Sequence, residues 1–154
     1  MKTPIQSMRV KAITEKPFPE PFRSILGKTE LRRLSAPFEL SQFAVNLEVL
    51  YPGAQSALRH WHTESDEFVY LLEGELILVT DDGETLVKPG MCMGFQAGDP
   101  NGHHFINRSE YIARFLVIGT CVDGDEVYYP DDDIQWLRKD GSYMAARKDG
   151  VPYE

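Results

Sequence analysis

The apolar positions of this chain fall into short runs of two-residue period, separated by turn residues. Phe43, Val45, Leu47 and Val49 alternate with Ala44, Asn46 and Glu48, which is the pattern of a strand. Tyr51-Pro52-Gly53 closes that run as a turn. Residues 56–62 read as the next strand, 63–66 as a polar connection, and 67–72 as an apolar, aromatic strand. Glu73-Gly74 makes a tight turn before 76–80, and Asp81-Asp82-Gly83 forms a hairpin signal before 84–87. Runs at 91–95, 103–107 and 113–119 continue the series, with a short segment at 126–129. Strands of this length and spacing predict an all-β antiparallel sandwich or barrel.

The flanks read differently. Pro4, Pro17, Pro19, Pro21 and Pro37 interrupt any long helix in residues 1–40. This stretch is expected to be an irregular arm packed on the barrel or on a partner subunit, and it is too broken for a helix-turn-helix domain. The barrel is assigned to residues 41–129 and a C-terminal extension to 130–154. In that extension Arg138-Lys139-Asp140-Gly141 is echoed by Arg147-Lys148-Asp149-Gly150, two Asp-Gly turns and not a repeat architecture.

Composition narrows the function classes. The 154 residues suffice for one domain with its own core. The net charge of −8, with no basic stripe, argues against nucleic acid. Asp81-Asp82 and Asp131-Asp132-Asp133 lack the spaced oxygen ligands and loop glycine of a calcium-binding EF-hand. The two cysteines, Cys92 and Cys121, form no CxxC pair and are too few for a disulfide scaffold; buried free thiols are expected. No apolar run approaches a membrane span, and residues 1–10 carry no signal-peptide core. A cytoplasmic protein is expected.

All four histidines lie in two short stretches. On a strand, the spacing of His60 and His62 puts both imidazoles on one face. Glu67 opens the following strand, and antiparallel pairing would bring its carboxylate beside them. His103 follows some forty residues later. Three imidazoles and a carboxylate suit one divalent transition metal ion: zinc, iron, manganese, nickel, cobalt or copper.

Gly53, His60, His62, Glu67 and Gly74 read as G-x6-H-x-H-x4-E-x6-G, and Gly90, Gly98, His103 and Asn107 end in H-x3-N. These two motifs resemble those of the cupin family across residues 42–120, within a branch of small bacterial cupins of which some are described as sugar-phosphate isomerases. The resemblance implies a jelly-roll barrel, or double-stranded β-helix, with His60, His62, Glu67 and His103 on the metal. Two features depart from the family pattern. The Gly53–His60 spacing is one residue longer, and Gln96 replaces a common proline while residues 99–102 lengthen the turn before His103. Both suggest a reshaped pocket rim.

His103 is chosen over His104 by its spacing to Asn107, which leaves His104 facing outward. Strand phase then places Phe105, Asn107, Val69 and Leu71 on the pocket side, with Asn107 satisfying backbone or orienting a ligand. Arg59 and Trp61 should point away from the pocket. Tyr70 is out of phase for a proton donor, Glu64 and Asp66 belong to a loop, and no general base is identified. The expected function is a metal-dependent enzyme acting on a small oxygenated metabolite such as a sugar or sugar phosphate, by isomerase-type chemistry. The alternatives are a ferrous dioxygenase and a non-catalytic small-ligand sensor. Trp61, Phe68, Tyr70 and Leu72 would be costly on a solvated sheet, so a homodimer is expected.

Overall fold

A computed structural model describes residues 3–154; the first two residues of the arm lie outside the described residues. The strands are β1 (Thr29–Arg33), β2 (Phe43–Leu50), β3 (Trp61–His62), β4 (Glu67–Glu73), β5 (Leu76–Thr80), β6 (Gly83–Val87), β7 (Cys92–Phe95), β8 (His104–Ile106), β9 (Ala113–Thr120), β10 (Val127–Tyr128), β11 (Gln135–Lys139) and β12 (Ser142–Ala146). Among the described residues a short α-helix, α1 (Phe22–Leu26), precedes them, and single 3-10 turns lie at Ser7–Arg9 and Ala36–Phe38. A five-stranded sheet of order β1-β2-β9-β4-β7 faces a three-stranded sheet of order β6-β5-β8, and β10-β3 and β11-β12 form two small pairs. Every strand pairing is antiparallel. This is the all-β antiparallel architecture that the alternation and turn spacing predict, in the jelly-roll form that the family resemblance implies.

The barrel core is made by inward positions. Val69 and Leu71 of β4, Ala113 and Phe115 of β9, Leu76, Val87 and Phe105 are all buried in one cluster. Gly74 turns the chain between β4 and β5 at φ 80°. A Cβ there would collide with the Ile112 carbonyl as well as forcing a left-handed backbone.

Register shows which face of β2 looks inward. Glu48 stands opposite Phe115, which stands opposite Leu71, so Ala44, Asn46 and Glu48 share the interior face. Leu47 and Val49 are buried on the other face, between the long side chains of their register neighbours Arg32 and Arg114. The period of two is therefore present in β2, with its polar residues turned inward.

A second cluster packs beside the barrel. Phe18, Phe22, Leu26, Leu58, Tyr129 and Ile134 are buried together, with Trp136, Ala145 and Tyr153 against them. Its rings meet edge-on: Phe18 with Trp136 at 5.6 Å and Phe22 with Tyr153 at 5.6 Å.

The structure corrects four expectations. The arm is not irregular throughout, because β1 joins the edge of the large sheet and Ile13 bridges Leu31. Of residues 56–62, only Trp61–His62 is a strand; the rest is held by isolated backbone bonds, such as Ser56 N to the Phe105 carbonyl at 2.9 Å. That two-residue strand pairs with β10 and not with β4. The cysteines are exposed: Cys92 shares the outer face with its partner Tyr70, and Cys121 lies just past the end of β9.

Candidate metal centre

The segments carrying the histidines are tied together through their backbones. His60 N donates to the His103 carbonyl at 3.2 Å, and His103 N returns to the His60 carbonyl at 2.9 Å. Glu67 reaches the same place from the first position of β4. Its neighbour on one side is Gly119, which has no side chain to crowd the carboxylate, and on the other side Phe95. The Phe95 ring stacks on His103, with centroids 3.5 Å apart and planes 5° apart. The carboxylate therefore arrives across the barrel and not from a strand paired with β3.

One nitrogen from each of His60 and His62 and an oxygen of Glu67 lie within 4.8 Å of one another. The outer nitrogens fix the tautomers. His60 Nδ1 is 2.8 Å from the Leu58 carbonyl, which can only accept, so Nδ1 carries the proton and Nε2 keeps its lone pair. His62 Nδ1 is 2.7 Å from Asp125 Oδ2, with the same consequence. Burial raises the Asp125 carboxyl, but hydrogen bonds from Glu64 N and His62 outweigh that and hold it below the usual range, so it remains an acceptor. Burial also holds His60 neutral, lowering its pKa to about 4 against the charge of Glu67. Two imidazoles with free Nε2 lone pairs and a carboxylate form a donor set that fits a divalent transition metal.

His103 is placed differently from the other three. It is buried, and its Nε2 donates to Glu67 Oε2 at 2.6 Å. Burial would raise the Glu67 carboxyl, yet the His103 hydrogen bond and the neighbouring imidazoles lower it overall. Nδ1 of His103 is buried with no hydrogen-bond partner among the described residues. His104 is half-buried, and its Nδ1 donates to the Ala57 carbonyl at 3.0 Å.

The centre opens into a cavity of about 320 Å³ bordered by His62, Glu67 and His103. Its walls differ from those expected. Val69, Leu71 and Phe105 belong to the barrel core, while Leu78, Thr80, Thr85 and Phe95 line the space. Asn107 is fully buried and structural: Nδ2 donates to the Leu50 and Tyr111 carbonyls at 2.9 and 2.7 Å. Trp61 lines the cavity, because strand alternation does not extend through the irregular 56–60 segment that precedes it. Its ring stacks on Tyr128 at 5.0 Å. Arg59 bonds Asp131, Asp81 and the Gly102 carbonyl and is not among the lining residues.

The Cupin domain family matches residues 46–119. A crystal structure from Silicibacter pomeroyi, described as a sugar phosphate isomerase from a cupin superfamily, is 40% identical, with a TM-score of 0.91, over 99% of this chain and 97% of that one. The chain belongs to the cupin superfamily. The polyketide cyclase RemF from Streptomyces resistomycificus is 25% identical with a TM-score of 0.67, covering 92% of this cupin and 90% of that chain. A putative sugar phosphate isomerase from Acidithiobacillus ferrooxidans, 24% identical with a TM-score of 0.71 over 82% of this chain and 81% of that one, shares the fold. A search of the curated proteins found no match.

The residues that periodicity missed are those that orient the ligand-type side chains. Asp125 lies 63 residues from His62 in sequence, and beside Gly124 it reads only as part of a turn. Phe95 could have been found by pairing β7 with β4 and following the face of Glu67.

Proposed function

We propose that this cupin is a metal-dependent enzyme acting on a small oxygenated metabolite such as a sugar or sugar phosphate, with isomerase-type chemistry. The observation that carries this reading is the pair of tautomer-locked imidazoles meeting a carboxylate at the edge of an open cavity. His60, His62 and Glu67 would hold the ion, and His103 would complete the set through its contact with Glu67. A divalent ion there supplies Lewis acidity toward a carbonyl or hydroxyl. The chain's own part is to keep His60 neutral by burial, to aim His62 through Asp125, and to shelter the centre with Phe95 and Trp61. The Silicibacter pomeroyi relative's description as a sugar phosphate isomerase supports the substrate class.

Elemental analysis of natively expressed protein should find about one transition metal ion per chain, and His60→Ala and Glu67→Ala should each lose it. Retention of the ion in both variants would defeat the site assignment. Metal-loaded protein should interconvert an aldose–ketose pair; activity that instead consumes oxygen with ferrous iron would move the protein to the dioxygenases.

The same reading includes a homodimer in the cytoplasm. Phe68, Tyr70 and Leu72 of β4 are 41%, 38% and 46% exposed on one sheet, an apolar surface suited to a second copy. The exposed free thiols of Cys92 and Cys121 suit a reducing compartment. Light scattering at micromolar concentrations should give twice the chain mass; a monomer there would refute the dimer.

A further inference from the structure

The lengthened turn before His103 is held beside the cavity by Asn101 and, through the Gly102 carbonyl, by Arg59. Asn101 Oδ1 accepts from Asp81 N at 2.8 Å, and its Nδ2 donates to Asp82 Oδ2 at 3.2 Å, which ties the turn to the β5–β6 hairpin. Asn101 N also donates to Asp99 Oδ1 at 3.0 Å. The result is two carboxylates, Asp82 and Asp99, fixed on the cavity wall. The second oxygen of each has no hydrogen-bond partner among the described residues. On the floor lies His103, buried, with its Nδ1 unpartnered.

Apart from His62 and Glu67 of the metal centre, the other polar groups that border this space are uncharged: Thr80, Thr85, Gln96, Asn101 and Ser65. The nearby cation, Arg59, is consumed by Asp131 and Asp81. With a divalent ion in place, the carboxylates of Glu67, Asp82 and Asp99 still leave the cavity on the anionic side of neutral. Carboxylates and amides with free oxygens accept hydroxyl hydrogens in pairs, and the faces of Trp61 and Phe95 offer apolar surface to C–H groups. A phosphate dianion entering the same mouth meets like charge in a partly desolvated space. The volume is at the small end of the range for ligand pockets, roughly 300–1,000 Å³.

We propose that the cavity takes an uncharged polyhydroxylated molecule, a free sugar or polyol, in preference to its phosphate ester, selected by Asp82 and Asp99 on the turn that Asn101 pins. This rests on the reading of the site as a metal-dependent centre for small oxygenated metabolites and narrows its substrate class.

The test is calorimetric titration of zinc-loaded full-length protein with glucose, fructose and ribose, each beside its terminal phosphate ester, and with glucosamine. At least one free sugar should bind at least about tenfold more tightly than its ester. In Asp82→Asn/Asp99→Asn, two exposed positions whose replacement spares the core, that preference should shrink by a similar factor. Equal or tighter binding of the esters would overturn the substrate class while leaving the metal-centre reading intact. So would an unchanged preference in the double variant, or weaker binding of the cationic glucosamine than of glucose, which would show that the wall is not net anionic. If no member of the panel binds, the broader reading fails and this one falls with it.

Discussion

The barrel core and the aromatic cluster beside it are assembled from different kinds of sequence. The first takes alternate residues from consecutive strands: Val69 and Leu71, Ala113 and Phe115. The second gathers Phe18 and Phe22 from the arm, Leu58 from an irregular stretch, and Tyr129, Ile134 and Trp136 from the tail. The candidate centre borrows from both. Glu67 and Phe95 stand on the barrel strands β4 and β7, and His103, stacked on Phe95, immediately precedes β8. His60 is held by the Leu58 carbonyl, and its ring lies 6.0 Å from that of Tyr129. Stability and site geometry should therefore separate by region: the barrel sets whether the chain folds, and the flanks and loops set how the imidazoles are aimed.

The largest effect should come from the barrel. Phe115 is fully buried in that core, and Phe115→Ala should cost about 3–5 kcal/mol in denaturant unfolding. A loss below about 1 kcal/mol would mean that the barrel is not the dominant core.

Acid should act next, through the site. In metal-free protein, burial lowers the pKa of His60 to about 4 from 6.5 in the unfolded chain. Above 6.5 neither state binds the proton. As pH falls from 6.5 toward 4, the unfolded state takes it up and the folded state does not. Stability should drop by on the order of 2–3 kcal/mol across that window. His60→Gln should flatten this part of the profile; an unchanged profile would show that His60 is not the group excluded from protonation.

These contrasts also show what the sequence makes legible. The alternation of β4 and β9 is plain because their Val69, Leu71 and Phe115 carry it into one core, and the H-x-H pair with Glu67 announces a metal-type donor set by residue type alone. In β2 the alternation is correct, yet its direction is inverted, since a half-buried Glu48 is tolerated inside. Lys16, reaching in from the arm, lies 3.9 Å from its carboxylate, while burial raises Glu48 and lowers Lys16 toward their neutral forms. The aromatic cluster is illegible in the sequence because its members from the arm lie more than a hundred residues from Tyr129, Ile134 and Trp136, with no common period. The cavity wall is illegible for a related reason: a strand of two residues, such as β3, is too short for alternation to place Trp61.

Asp125→Asn probes the loop contribution. The amide can keep its oxygen toward Glu64 N and Ser65 N, which Asp125 Oδ1 now accepts at 2.9 and 3.2 Å. Its NH₂ would then face His62 Nδ1 and favour the tautomer with Nε2 protonated, which removes the lone pair from the centre. Metal affinity should fall about 10–100-fold, measured by competition with a chelator. The metal-free unfolding midpoint should shift by no more than about 0.5 kcal/mol equivalent. Unchanged affinity would show that His62 is aimed by the strand pair alone.

The smallest effect should come from Trp136→Phe. The indole N–H donates to the Tyr129 hydroxyl at 2.9 Å, and phenylalanine keeps a ring against Phe18 while losing that donor. About 1 kcal/mol of stability should be lost. Tyr129 remains edge-on to Phe18 at 6.1 Å, so the surroundings of His60 should survive, and metal affinity should change by less than about threefold, under 1 kcal/mol. Hydrogen exchange should quicken at β11 and β12 while the amides of β4 and β9 keep their protection. If affinity instead falls as far as in Asp125→Asn, the aromatic cluster governs the site as strongly as the loops do. The division of labour between the two cores would then have to be redrawn around Tyr129 and His60.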